Sequence, residues 1–235
     1  MTPPTTCIVL AGGLGTRLSG VLGSLPKCLA PVGDRFFLEL QLDELAAQGI
    51  ERFVLSLGHA ADMVLARVPR LQRRHDLRVI VETAPLGTGG AMLLAMHECA
   101  LDECLITNGD TLLNGNLTSM FAPLDRLDGE EVRMASVQVT DRGRYGGLKL
   151  EGVRVTGFVE KGSGSPGPIN AGLYRVTLAA FDGRTSGTAF SFEQDVMPGL
   201  VEDGVVRAAP IGGDFIDIGV PEDYARFLGR YTPTA

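Results

Sequence analysis

Residues 7–17 read CIVLAGGLGTR, and this stretch decides the fold. Cys7 to Ala11 is a continuous, partly β-branched apolar run, the pattern of a buried strand, and it stops at once at Gly12, Gly13 and Gly15. Glycines here remove side chains where a backbone must turn tightly and approach a bulky anion, leaving N–H groups to cradle phosphate oxygens. Arg17 can add a charge-assisted bidentate contact. Taken alone the loop also fits an ordinary tight turn, and it matches neither GxGxxG nor GxxxxGK[ST].

Outward from this loop the chain alternates strand and helix. Leu38, Leu42 and Leu45 share one helical face over Phe36 to Gln48, with Gly49 as the stop. A strand near Phe53 to Leu57, a helix near Ala61 to Val68 and a strand near Leu77 to Val81 continue a βαβ pattern. PLGTGGA (85–91) leads into a helix reaching about Cys99, and CLIT (104–107) forms a strand ending at NGD (108–110). Asp110 therefore sits at a strand's carboxyl end, where open α/β sheets bind ligands, although an Asx-type turn explains the same residues. After Leu127 come short strands over Val132–Val139, Gly147–Leu150 and Val153–Val159, a flexible loop GSGSPGP (162–168), and the strand INAGLYRV (169–176). Phe192–Val201 reads as helix, FIDI (215–218) as strand, and Pro221–Leu228 as a helix opened by its proline. With no internal repeat and no long linker, the expectation is a single domain over 1–235.

The 235 residues carry 21 Lys plus Arg against 28 Asp plus Glu, a net charge of -7, with 45% hydrophobic residues. That is globular composition, and its acidic balance excludes a general nucleic-acid binder or a partner for anionic membrane. Any phosphate ligand must be held by a few local cations and backbone donors. Lys27, stiffened by Pro26 in LPKCLAPV (25–32), is a candidate, although a solvated surface lysine is the usual alternative. Four cysteines without paired CxxC spacing and three histidines disfavour zinc and fit a reducing compartment. A start without a basic leader and the lack of an 18-residue apolar stretch lead us to expect a cytoplasmic protein with no membrane span.

LAGGLGTRL followed by PKCLAPV resembles the sugar-1-phosphate nucleotidyltransferases, which join a nucleoside triphosphate to a sugar 1-phosphate and release pyrophosphate. The resemblance continues through PLGTGGA, NGD, RYG, FVEKG, INAGLY, FEQDV and FIDIGVPEDY, nearly the whole chain. Its texture is most similar to the branch that guanylylates a manno-heptose 1-phosphate. The resemblance implies an α/β fold with a Rossmann-like, doubly wound mixed sheet and a small elaboration for sugar binding. About 1–127 would be mainly nucleotide-binding and about 128–235 mainly sugar-binding.

The resemblance also distributes roles. Leu10, Ala11, Gly12, Gly13, Gly15, Thr16 and Arg17 would wrap the triphosphate, with Arg17 and Lys27 neutralising its charge. Asp110 and Asp217 would hold Mg²⁺, a hard cation suited to two carboxylates plus phosphate and water oxygens. Glu82, Pro85, Gly87 and Thr88 would line the base. A carboxylate at Glu82 can accept two bonds from guanine, which favours GTP, although uracil also offers one N–H. Gly146, Glu160, Lys161 and Asn170 would take the sugar 1-phosphate, with Lys161 aligning the attacking group. Glu160 and Lys161 are adjacent, so a bulge or strand end must let both reach it. Tyr145 and Tyr174 read as packing or rim residues. The expected catalytic set is Arg17, Lys27, Asp110, Lys161 and Asp217. The resemblance is compatible with a homodimer, for which the sequence identifies no interface. Other sugar 1-phosphates and bases, and a non-catalytic nucleotide-sugar-binding subunit, remain as alternatives.

Overall fold

The computed structural model describes residues 5–231 apart from 14, 16, 161 and 163. The chain forms two compact units, interleaved in sequence. The first takes Thr5–Pro85, Thr107–Asn114 and the segment from Asp214 onward; the second takes Leu86–Ile106 and Gly115–Gly213.

In the first unit, strands Thr6–Leu10, Arg52–Leu57 and Asp76–Val81 pair in parallel, joined by helix Phe37–Ala47 and by two short helices, Ala61–Leu65 and Val68–Leu71. Parallel neighbours require such crossovers, which is the alternation read from the sequence. The expected single helix over Ala61 to Val68 is instead split. Pro69 has no N–H to continue a helical ladder and sits in the first turn of the second piece, the position that tolerates it. Glu39 caps helix Phe37–Ala47 by accepting from the Phe36 N–H at 3.2 Å and anchors it to Arg70 at 2.5 Å. The C-terminal helix runs Pro221–Tyr231, and Phe227 meets Phe37 edge-on with centroids 5.3 Å apart. Tyr224 secures the same helix by donating to the Pro31 carbonyl at 2.5 Å.

Two pairings in this unit go beyond the sequence reading. Pro31–Val32 and Arg35–Phe36 form a small hairpin. Thr111–Asn114 is a strand, antiparallel to Asp214–Asp217, with Asp217 opposite Thr111.

In the second unit, strand Gly167–Thr177 runs antiparallel to Val132–Val139, which pairs in parallel with Val206–Pro210. Strands Gly147–Glu151 and Arg154–Val159 pair antiparallel with a register shift between Val155 and Gly157. Together these pairings make the architecture mixed α/β. Strand Gly167–Thr177 begins inside the expected GSGSPGP loop, because Gly167 and Pro168 already pair with Val139 and Gln138. The expected helix Phe192–Val201 opens as a wide π turn over Phe192–Val196 before α-helix Met197–Glu202. Among the described residues no helix is long and apolar enough to cross a membrane.

Candidate active site

The glycine loop leaves strand Thr6–Leu10 with its neighbours fixed. Ala11 donates to the Ser56 carbonyl at 2.8 Å, and the Leu10 carbonyl accepts from the Gly109 N–H at 2.9 Å. Close approach explains two glycines here. A Cβ on Gly12 would lie 2.8 Å from the Gly58 nitrogen, and one on Gly109 would lie 2.8 Å from the Leu10 oxygen. Gly15 has φ +61° and lies over the Lys27 stem. Gly13 is different: it is exposed, its φ lies outside the left-handed region, and a Cβ there meets nothing within 4 Å. No described neighbour crowds this position, so the backbone here is open to the approach of a ligand. Arg17 is exposed beyond the loop, and Thr16 lies outside the described residues.

Lys27 opens a single 3-10 turn over Lys27–Leu29, set by Pro26. Its ammonium donates to Asp110 Oδ2 at 2.8 Å, with both side chains largely buried. Asp217 joins them through the antiparallel pairing of Thr111–Asn114 with Asp214–Asp217, which closes a long sequence gap. The Ile218 N–H donates to the Asp110 carbonyl at 3.0 Å, and the Gly219 N–H donates to Asp217 Oδ1 at 2.6 Å. A Cβ on Gly219 would stand 2.7 Å from Asp217 Oδ1 and 3.5 Å from Lys27 Nζ, which shows how tightly the three groups converge. Burial is the largest effect lifting the Asp217 pKa above the ordinary aspartate range, and the Asp110 charge is the next. The Gly219 N–H and Lys27 pull it back, and Asp223 adds a smaller rise. Two convergent carboxylates are a hard-oxygen donor set of the kind that suits Mg²⁺. Beside them Cys28 is a poor nucleophile, because burial and then Asp110 push its thiol up to about 12.

On the base side, Glu82 is half-buried just past strand Asp76–Val81, and its N–H donates to the Leu57 carbonyl at 2.8 Å. Its carboxylate packs against Gly12 and Gly58: Cβ atoms built there would lie 3.3 and 3.5 Å from its oxygens. Gly58 was missed in the sequence, yet it repeats the signal of Gly12, a glycine directly after a buried strand. Pro85 is exposed.

Gly87 and Thr88 belong to the second unit, where helix Gly87–Glu98 starts against the segment 188–193. Gly87 has φ +68°, and a Cβ there would lie 2.6 Å from the Phe190 oxygen, which accepts the Gly89 N–H at 3.0 Å. The glycines of PLGTGGA are thus required by this internal docking. The Thr88 hydroxyl donates to Glu193 at 2.6 Å and accepts from the Phe192 N–H at 2.9 Å. Glu193 lies in FEQDV, a motif that carried resemblance but no assigned role.

The second unit also gathers sugar-side positions. Val159 pairs with Gly147 and Gly147 with Ile169, so Gly146, Glu160 and Asn170 each lie one residue from the same ladder end. Glu160 falls just past strand Arg154–Val159, and Lys161 lies outside the described residues. A Cβ on Gly146 would make only an ordinary 3.8 Å contact. Asn170 donates to the Tyr174 hydroxyl at 2.6 Å and accepts from the Gly172 N–H at 2.9 Å. Tyr174 is buried against Phe192, ring centroids 5.4 Å apart, and is a packing residue.

The sequence profile of the Nucleotidyl transferase family matches residues 6–232. The chain belongs to that family. This nucleotidyl transferase is 33% identical over 228 residues to the D-glycero-alpha-D-manno-heptose 1-phosphate guanylyltransferase of Aneurinibacillus thermoaerophilus, covering 93% of this chain and 95% of the relative. It is 33% identical over 222 residues to the protein of the same name in Campylobacter jejuni, covering 94% and 97%. Its fold matches HddC from Yersinia pseudotuberculosis complexed with GMP-PN with a TM-score of 0.85, at 32% identity over 99% of this chain and 100% of that one.

Two outcomes follow. Asp217 holds its proton more tightly when folded than when unfolded, so its contribution to stability is full below the unfolded pKa of about 4 and is lost as pH rises through the folded value. Asp217→Asn keeps an acceptor for Gly219 and removes the charge. In metal-free buffer at pH 7 it is expected to melt above the parent, with the gain vanishing in acid and stabilisation by divalent cations lost; a lower melting point at pH 7 contradicts the charge argument. Gly13→Ala is expected to change stability by under about 0.5 kcal/mol while weakening GTP binding about tenfold or more, as titration calorimetry would read. Unchanged affinity would remove the loop from the nucleotide site.

Proposed function

We propose that this nucleotidyl transferase transfers GMP from GTP to D-glycero-α-D-manno-heptose 1-phosphate, giving GDP-heptose and pyrophosphate. The observation that carries the transfer chemistry is the Lys27–Asp110 pair with Asp217 converging on it, at the foot of a glycine loop that faces outward at Gly13. The guanine and heptose assignments draw support from the two full-length relatives and from Glu82 beside Gly12 and Gly58.

The reaction is an in-line substitution. A non-bridging oxygen of the sugar phosphate attacks the α-phosphorus, a P–O bond forms, and the α–β bridging P–O bond breaks with its electron pair leaving on pyrophosphate. A phosphate monoester has a second pKa of about 6, so the nucleophile is already ionised near neutrality and no general base is needed. The neutral Cys28 thiol likewise supports a direct route without a covalent enzyme intermediate. Asp110 and Asp217 would hold Mg²⁺, which supplies charge neutralisation on phosphate oxygens. Lys27 and Arg17 stabilise charge developing on the α-phosphate and pyrophosphate, with the Lys27 ammonium already positioned by Asp110. Glu82 accepts from guanine N1–H and the exocyclic amine. Glu160 accepts from sugar hydroxyls, and Gly146, Asn170 and Lys161 seat and align the sugar phosphate, so that positioning supplies much of the acceleration. The reading includes a cytoplasmic setting, consistent with the absence of any disulfide among Cys7, Cys28, Cys99 and Cys104.

The deciding experiment is pyrophosphate release in Mg²⁺ across a matrix of nucleoside triphosphates and sugar 1-phosphates, including both heptose anomers and mannose. Highest kcat/KM for GTP with the α-manno-heptose phosphate is expected. A preference for another pair keeps the chemistry and overturns the substrate assignment; folded protein that binds GTP without turnover overturns the reaction itself.

A further inference from the structure

One side chain that no motif singled out holds the turn bearing Asp110. Gln41 lies on helix Phe37–Ala47, three residues after Leu38 and four before Leu45, a spacing that turns it to the same buried face. It is 2% exposed. Its Nε2 donates to the Asn108 carbonyl at 2.7 Å and to the Thr111 carbonyl at 2.6 Å. Both amide protons are therefore committed to the two carbonyls that bracket Gly109 and Asp110. Because both neighbours are acceptors, the orientation of the amide is fixed by its partners.

The remaining backbone contacts complete the restraint. Gly109 N–H is held by Leu10, the Asp110 carbonyl by Ile218, and the Thr111 hydroxyl adds a bond to the Asn108 carbonyl at 3.3 Å. Gln41 bridges the two flanks of the turn from a separate element, helix Phe37–Ala47. Its own Oε1 is buried and accepts no hydrogen bond among the described residues. A buried acceptor left unpaired is unfavourable, so the amide sits here at some expense while its donors fix the turn. Shifting the backbone that carries Asp110 away from helix Phe37–Ala47 would break the Gln41 bonds.

We propose that Gln41 is a positioning residue, which clamps the Asn108–Thr111 turn so that the Asp110 carboxylate is presented correctly to a divalent cation and the nucleotide phosphates. The inference rests on the reading of Asp110 as a cation-binding carboxylate. Gln41 acts through the Asp110 backbone and touches no substrate.

The test compares Gln41→Met, which keeps length and apolar fit but removes both donors, with Asp110→Ala and the parent enzyme. Mn²⁺ affinity is read by electron paramagnetic resonance in the presence of GTP without sugar phosphate, and kcat and KM are read separately. Supporting partners of metal ligands are worth about 10–100-fold, so Gln41→Met is expected to weaken Mn²⁺ binding and lower kcat about tenfold, with KM for the sugar phosphate little changed. Gln41→Asn, which keeps the amide but is too short to reach both carbonyls, is expected to move in the same direction and serves if the methionine variant does not fold. Parental Mn²⁺ affinity and kcat in a folded Gln41 variant, with Asp110→Ala defective, overturns the clamp alone. Unchanged Mn²⁺ affinity in Asp110→Ala overturns the reading of Asp110 and the clamp with it.

Discussion

Two carboxylates brought close together and partly out of water repel one another, and the first unit is arranged around the cation that offsets this. Lys27 pairs with Asp110 at 2.8 Å and also lowers the proton affinity of Asp217. An exposed pair of this kind would contribute at most about 1 kcal/mol, but here both partners are largely removed from solvent, where Coulomb terms are screened less. The same arrangement prepares a site for phosphates: positive charge and hard oxygens stand ready before a ligand arrives, so little reorganisation remains for the reaction.

Backbone pairing holds this cluster together. The ladder between Thr111–Asn114 and Asp214–Asp217 fixes which residue of the C-terminal segment faces the NGD turn, and a one-residue slip would turn Asp217 to the other face. Helix Pro221–Tyr231, locked by Phe227 on Phe37, holds the far end of that segment. Stability of the core and geometry of the site are thus carried by the same contacts.

Much of this was legible in the sequence because local chemistry leaves marks. Apolar runs ending at glycine located strand Thr6–Leu10 and its loop, and NGD located Asp110 at a strand end. The partner strand Thr111–Asn114 left too short a pattern to distinguish from a loop, and its pairing is a long-range fact. The glycines of PLGTGGA were visible, but their cause was not: Gly87 is open because the Phe190 backbone presses on it from a segment a hundred residues away. Gln41 looked like one more polar residue in an amphipathic helix, although its spacing from Leu38 and Leu45 placed it on the buried face. On the sugar side, the adjacency of Glu160 and Lys161 called for a bulge or a strand end; the strand ends at Val159, and Lys161 lies outside the described residues.

In the proposed reaction Lys27 is the cation shared by the carboxylates and the substrate phosphates. Its most direct test is the steady-state rate of pyrophosphate release by Lys27→Ala, with folding checked by circular dichroism. Loss of a preorganised charge at developing phosphate charge predicts a kcat lower by about a hundredfold or more in folded protein. A folded variant that turns over at a rate comparable to the parent would contradict the account.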